Sequence, residues 1–327
     1  MLTIFFIFDK KIIMENVNVS LVIPVKDEEG TLETLYEKIL EVLESLNLSF
    51  EILFIDDGST DRSFDIMKQL SQRDSRVKIV RFRRNFGKAA ALSCGFEKAK
   101  GEIIITMDAD LQDDPKEIPK FIDLINNGYD VVSGWKKDRK DPWSKKVPSK
   151  IFNKITAWLT GVNIHDFNCG FKAYRNEVVK NLDIYGELYR YIPALAYSKG
   201  FRIGEVVVEH HPRIYGRSKY GWERLIKGFL DLFTVVFLTR FLKRPMHFFG
   251  GLGLLFFIVG FLINLGLTIY KYTTGALIGG RPLLLFGVLL MILGVQFLSI
   301  GLLGEMINNV THGRKKEYLI SEEIGFE

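Results

Sequence analysis

Glu102-Ile103-Ile104-Ile105-Thr106-Met107-Asp108-Ala109-Asp110-Leu111-Gln112 is the run that decides how this chain is read. Ile103–Met107 is apolar and β-branched, the composition of a buried strand. Asp108 and Asp110 follow at once. In an extended segment residues i and i+2 point to the same side, so the two carboxylates are expected to converge at the strand's carboxyl end. A like-charged pair of this kind is unfavourable unless a cation neutralises it. Hard oxygen donors suit Mg²⁺ or Mn²⁺, and Gln112, two residues further on, adds an amide oxygen. Asp108, Asp110 and Gln112 are therefore the candidate metal ligands.

Outward from that run, strand-like and helix-like segments alternate. Val19–Val25, Glu51–Ile55, Val77–Phe82 and Val131–Gly134 read as further strands. Thr31–Leu46, Asp61–Ser71, Lys88–Lys100 and Pro115–Asn127 read as helices, the last with Pro at its start and Gly128 after its end. Such alternation predicts an α/β domain with a mostly parallel sheet, whose ligands bind beyond the carboxyl ends of the strands. Asp56-Asp57-Gly58-Ser59 falls at a second such end. A carboxylate there can accept a nucleobase N–H, or form an Asx turn and cap the next helix. Gly-rich phosphate-loop patterns are missing, so phosphate must be met by metal and by cationic side chains. Lys136, Lys137, Arg139, Lys145, Lys146, Arg213, Arg217 and Lys219 supply them. Residues 136–220 look less regular. Asp166, in His165-Asp166-Phe167-Asn168-Cys169-Gly170-Phe171, is a lone acid among aromatics and a further candidate. His210 and His211 read as strand-end residues and not as zinc ligands.

The chain has 327 residues, net charge +5, 47% apolar and 25% charged residues, which excludes a disordered or low-complexity chain. So small an excess of positive charge gives no reason to expect a nucleic-acid partner. Cys94 and Cys169 are too few for a disulfide framework. From Pro245 to Glu305 the only charged side chains are Lys271, Arg281 and Glu305. Met246–Tyr270 and Pro282–Gly304 are each long enough to cross about 30 Å of hydrocarbon. Basic residues flank the pair (Arg240, Lys243 and Arg244 before, Arg314, Lys315 and Lys316 after), which predicts a multi-pass cell-membrane protein with its sheet domain in the cytoplasm. Trp222–Leu242 has helical spacing with basic residues on its rim, as in an interfacial helix. The expected organisation is 1–17, an N-terminal extension of no assigned role; 18–221, the α/β domain; 222–244, an amphipathic juxtamembrane region; 245–305, two transmembrane helices; and 306–327, a cytoplasmic tail. The apolar run 2–8 is too short to span a bilayer and lacks signal-peptide flanks, and residues 1–13 are expected to be dispensable.

Four motifs in order resemble the family 2 glycosyltransferases of the GT-A fold. They are Val22-Ile23-Pro24-Val25-Lys26-Asp27-Glu28, Asp56-Asp57-Gly58-Ser59, Asp108-Ala109-Asp110-Leu111-Gln112, and Arg213-x-x-Gly216-x-Ser218-Lys219-Tyr220. The likeness is greatest to the polyisoprenyl-phosphate branch, which includes dolichyl-phosphate mannose synthases and bactoprenol-phosphate glucosyltransferases. It implies an enzyme that moves a sugar, with inversion, from a nucleotide-diphosphate sugar (UDP-glucose or UDP-GlcNAc) to undecaprenyl or dolichyl phosphate, using Mg²⁺ or Mn²⁺. By resemblance Pro24, Val25 and Glu28 line the nucleotide pocket, and Asp57 with Asp56 contacts the base. Asp108 matches the ribose and metal region, Asp110 and Gln112 match metal ligands, and Lys136 lies near the diphosphate. Lys145 and Ser149 resemble an acceptor-phosphate site, Arg213 and Lys219 a loop closing over both phosphates, and Asp166 a proposed base. Asp27 stands where the family usually has Asn, and Lys136 and Lys145 replace arginines, losing the bidentate fork. The implied partners are the nucleotide sugar, the lipid phosphate and the bilayer, with a homo-oligomer compatible, and with a separate flippase and downstream transferase. Rival readings are a processive polysaccharide synthase, whose Gln-x-x-Arg-Trp motif is missing, and a non-catalytic membrane scaffold.

Overall fold

The computed structural model describes residues 17–137, 143–182, 184–186, 188–211, 223–241 and 244–312. The chain divides into two compact units, residues 1–228 and 229–327.

The first unit opens with β1 (Val19–Val25), α1 (Leu32–Ser45), β2 (Phe50–Asp56), α2 (Ser63–Arg73), β3 (Val77–Arg81), α3 (Lys88–Lys98) and β4 (Ile103–Thr106). A 3₁₀ turn over Pro115–Glu117 leads into α4 (Ile118–Asn126) and β5 (Val131–Trp135). Then come α5 (Trp143–Thr160), β6 (Lys172–Arg175), α6 (Asn176–Lys180), α7 (Ile192–Ser198) and β7 (Ile203–Val207). The sheet order is β3-β2-β1-β4-β6-β5-β7. β1 to β4 run parallel, β5 and β7 pair in parallel, and β6 runs antiparallel to both its neighbours. Alternation along β1 sends Leu21, Ile23 and Val25 into one core, against Leu32, Leu35 and Ile39 of α1, Met67 of α2 and Phe121 of α4. Val22 goes into the other core, with Leu92 and Phe96 of α3, Val178 of α6 and Ile192 of α7. The central strands are thus buried on both faces, which is why β1 and β4 read as apolar runs.

Two expectations are corrected here. Residues 136–220 are not irregular throughout, since they hold α5, β6, α6, α7 and β7. β6 is short, Lys172-Ala173-Tyr174-Arg175, with a charge at each end and no alternation to read. α5 carries Pro148 among lysines, which masks its periodicity. The acidic run is also not extended: β4 stops at Thr106, and Leu111 takes φ +59°. The chain turns through Asp108–Leu111, so i and i+2 are not simply on one side.

α8 (Glu223–Val236), a short π-helical stretch (Phe237–Phe241), α9 (Pro245–Thr274) and α10 (Pro282–His312) are the elements after β7 among the described residues. Phe233, Phe237 and Phe241 each pack a ring on Phe248 of α9, at centroid distances of 5.9, 6.1 and 5.0 Å. α9 and α10 are long and apolar enough to cross a membrane over Pro245–Thr274 and Pro282–Asn308. Their large apolar side chains face outward, Leu262 at 57% and Leu285 at 71% exposed, unlike the core helices of a water-soluble fold. Small residues bring the two together: a Cβ on Gly260 would lie 2.5 Å from the Gly287 carbonyl oxygen.

Candidate active site

The carboxyl ends of β1, β2 and β4 meet around the place where the strand order reverses, between β1 and β4, the usual crevice of an open α/β sheet. On the β1–β2 side the loops are sewn together. Asp27 takes φ +56°, a conformation Asp and Asn tolerate best, and its carboxylate accepts from Thr60 N at 2.7 Å. Glu28 N donates to Ser63 Oγ at 2.9 Å. Val25 is buried, and its carbonyl accepts from Asp57 N at 2.9 Å; Pro24 beside it is partly exposed. Asp56 is buried; its Oδ1 accepts from Ser59 N at 2.7 Å, and its Oδ2 lies 3.2 Å from Arg81 Nε. The Asp57 carboxylate accepts from Phe86 N at 2.6 Å and Gly87 N at 3.0 Å, so it fixes the loop that leads into α3.

On the β4 side three lysines enter an acidic cluster. Lys88, first residue of α3, forms an ion pair with Asp108. Lys136, just past β5, lies 2.7 Å from Asp113, with side chains 10% and 0% exposed. Lys172 of β6 is buried and donates to the carbonyls of Phe167 (3.2 Å) and Cys169. Burial raises the Asp108 carboxyl, but the charge and hydrogen bond of Lys88, together with the charges of Lys136 and Lys172, hold the group below the usual carboxylate range. Asp113 is held above that range, because burial, aided by Asp108 and Asp110, exceeds the pull of Lys136. Burial pushes Lys172 down to about 8 and the Cys169 thiol up to about 12.

Lys172 gives a pH signature. Its folded pKa lies below that of a free lysine, so between them the unfolded chain binds more protons and stability rises with pH. Cys169 has the opposite sign, because the unfolded thiol ionises first from about pH 9. Between pH 8 and 9 unfolding of the full chain in detergent should therefore show stability rising more steeply than in Lys172→Met, by at most about 1.4 kcal/mol per pH unit. Parallel profiles would remove the assignment.

Asp110 is buried, its Oδ1 accepts from Gln112 N at 3.2 Å, and the Gln112 carbonyl accepts from His211 N at 2.9 Å. His210 pairs with Asp113 in an isolated backbone bridge three residues past β7, and His211 Nε2 lies 3.2 Å from Asp114, so neither histidine ends the strand itself. Among the described residues no three His, Cys, Asp or Glu side chains form a ready-made cage for a metal. Asp108, Asp110 and Gln112 still fit a hard cation that brings oxygens of its own ligand, the habit of Mg²⁺ at substrate phosphates. Gly170 supports the fit, since a Cβ there would crowd Asp108 Oδ2 at 2.8 Å. The cation is not needed to neutralise Asp108, because Lys88 already does so, contrary to the sequence argument.

Asp166 is only 3% exposed, and its Oδ1 accepts from Asn168 N at 3.0 Å. Ser149 lies on α5, partly buried. The side chain of Lys145, and the residues Arg139, Arg213, Gly216, Arg217, Lys219 and Tyr220, lie outside the described residues, as do residues 1–16 and Arg314, Lys315 and Lys316. The sequence reading missed Lys88, Asp113, Lys172 and Glu205 (of β7). Lys172 left one trace, a lysine inside the otherwise apolar run Phe171–Tyr174.

This arrangement, acids and lysines gathered at the carboxyl edge of a 3-2-1-4-6-5-7 sheet, defines a GT-A-like nucleotide-sugar transferase fold. The comparisons agree: residues 20–183 match Glycosyl transferase family 2, and the chain belongs to that family of glycosyltransferases. It is 40% identical over 299 residues to dodecaprenyl-phosphate galacturonate synthase of Rhizobium johnstonii, covering 90% of this chain and 88% of the relative. It is 37% identical over 294 residues to undecaprenyl-phosphate 4-deoxy-4-formamido-L-arabinose transferase of Edwardsiella ictaluri, covering 89% of each. Glucosyl-3-phosphoglycerate synthase of Mycobacterium tuberculosis, solved with Mn²⁺ and uridine-diphosphate-glucose, superposes with a TM-score of 0.52 at 17% identity, over 68% of this chain and 79% of that one, a likeness of fold.

Proposed function

We propose that this protein transfers a sugar from a nucleotide-diphosphate sugar to a polyisoprenyl phosphate, with inversion, at the cytoplasmic face of a membrane that α9 and α10 cross. One observation carries the reading. The charged cluster around Asp108, Asp110 and Lys136 lies at the sheet's carboxyl edge, in a chain that continues into two membrane-length helices. Relatives named for dodecaprenyl and undecaprenyl phosphate support the acceptor class. They are named for galacturonate and 4-deoxy-4-formamido-L-arabinose, so such sugars join glucose and GlcNAc as donor candidates.

In this reading Pro24, Val25, Glu28, Asp56 and Asp57 frame the nucleoside, Asp57 through the 86–87 backbone it fixes. Asp108, Asp110 and Gln112 would hold Mg²⁺ or Mn²⁺, which when bound offsets charge on the leaving diphosphate. Lys136 adds positive potential from its buried pair with Asp113. Lys145 and Ser149 receive the acceptor phosphate, and Arg213 and Lys219 close over both phosphates, an orienting and electrostatic role. A phosphate monoester has its second pKa near ~6, so the attacking oxygen is already anionic at neutral pH. A general base is then unnecessary, and buried Asp166 serves to orient.

The test is a transfer assay with the full chain in detergent, short-chain polyisoprenyl phosphate, Mg²⁺ or Mn²⁺, and a panel of UDP- and GDP-sugars with a chelator control. The expected result is a chelator-sensitive glycolipid from one donor. Nucleotide binding without product from any donor would overturn the acceptor, and no nucleotide binding would overturn the reaction itself.

A further inference from the structure

The loop His165–Gly170, between α5 and β6, is held by side chains from many elements. Glu205 of β7 does most. Its Oε1 accepts from His165 N at 2.7 Å and Asp166 N at 3.1 Å, and its Oε2 lies 2.7 Å from His165 Nδ1. Its side chain is 12% exposed. Ser133 Oγ of β5 donates to the Asp166 carbonyl at 3.2 Å, and Asn153 Nδ2 of α5 donates to the His165 carbonyl at 2.8 Å. Thr106 Oγ1, at the end of β4, donates to the Gly170 carbonyl at 2.8 Å. Lys172 of β6 donates to the carbonyls of Phe167 and Cys169. The His165 ring lies flat on Trp135, 4.0 Å between centroids and 11° between planes.

The two ends of this loop do different things. The first carries Asp166. The last, Gly170, is the wall against which Asp108 Oδ2 rests, with no room for a Cβ between them. An untethered loop samples many backbone conformations, and each would move both groups. A displacement of about 1 Å at a reacting centre can cost on the order of 10²-fold in rate.

We propose that Glu205 is a positioning residue for sugar transfer: from the sheet edge it fixes the backbone of His165 and Asp166, and through the loop it fixes the wall behind Asp108. The inference rests on the transfer reaction proposed above. Its physical basis is one carboxylate accepting two adjacent backbone N–H groups, which sets the direction of the chain at that point.

The experiment compares Glu205→Ala, Glu205→Gln and the unmodified full chain in detergent. It measures kcat, UDP affinity with Mn²⁺ by titration calorimetry, and hydrogen exchange of the 165–170 segment. Glu205→Ala should lower kcat at least about 10-fold, weaken UDP affinity by much less than it lowers kcat, and speed exchange in the loop. Glu205→Gln keeps an oxygen for both N–H groups and should return to within about 3-fold of the unmodified kcat. Ser133→Ala removes one hydroxyl at the Asp166 carbonyl, and should lower kcat a few-fold even if Glu205→Ala does not fold. An unchanged kcat in Glu205→Ala or in Ser133→Ala, a Gln variant as damaged as the Ala one, or loss of UDP binding in step with turnover would each overturn the proposal. An unmodified chain that binds UDP but makes no glycolipid would overturn the acceptor reading instead, and the exchange rates would still judge Glu205: equal rates in the Ala variant and the unmodified chain would overturn it too.

Discussion

Asp110→Ala is expected to lower kcat for sugar transfer by about 10³-fold, the upper end of what one electrostatic contact at developing charge contributes. Asp108 is already paired with Lys88, whereas Asp110 is buried in the turn beyond β4, where its Oδ1 accepts from Gln112 N at 3.2 Å. In the proposed reading Asp110 is a metal ligand, so its loss weakens the hold on a divalent cation at the donor diphosphate. Replacement by Ala also removes the acceptor for Gln112 N, whereas Asp110→Asn keeps an oxygen for it. The Asn variant should retain the turn and still lose most of the rate. Kinetics as a function of Mn²⁺ concentration check this. Near-normal turnover of Asp110→Ala, or full activity of Asp110→Asn at low Mn²⁺, would exclude Asp110 as a metal ligand.

Lys136→Met should destabilise the protein by about 3–5 kcal/mol, because it strands a fully buried Asp113 carboxylate. Asp113 is held above the usual carboxylate range even with its lysine in place, and without it the group moves higher still. A raised folded pKa means the native state gains protons over the unfolded chain as pH falls, so the deficit should shrink on acidification toward pH 5. Lys136→Met with Asp113→Leu replaces both charges and should recover most of the loss. Urea unfolding of the full chain in detergent, followed by tryptophan fluorescence, measures all of these. A single variant as stable as the unmodified chain would show that the pair holds nothing together. A stable double variant that has still lost donor affinity would assign Lys136 to the diphosphate as well.

The same residues show what could be read from sequence and what could not. β1, β2, β4 and β5 were legible because a strand covered on both faces is a largely apolar run, and the edge strand β3 because Val77, Ile79 and Val80 are β-branched. β6 was hidden, because four residues with a charge at each end carry no periodicity. The acids Asp56, Asp57, Asp108 and Asp110 could be located because strand ends are local features. Their partners could not. Lys88 looked like an ordinary helix-start lysine, and nothing in the neighbouring residues marks Glu205 as the holder of the 165–166 backbone.

By itself the sequence determined the alternation of strands and helices, the acidic strand ends and two membrane-length apolar segments, since each follows from the chemistry of neighbouring residues. Tertiary structure alone decided which charges meet. Lys136 reaches Asp113 and Glu205 reaches the 165–166 backbone only because β6 is inserted between β4 and β5, with β7 outside β5. That order is fixed by packing and backbone hydrogen bonding over the whole sheet, and those long-range terms leave no mark on any short stretch of chain.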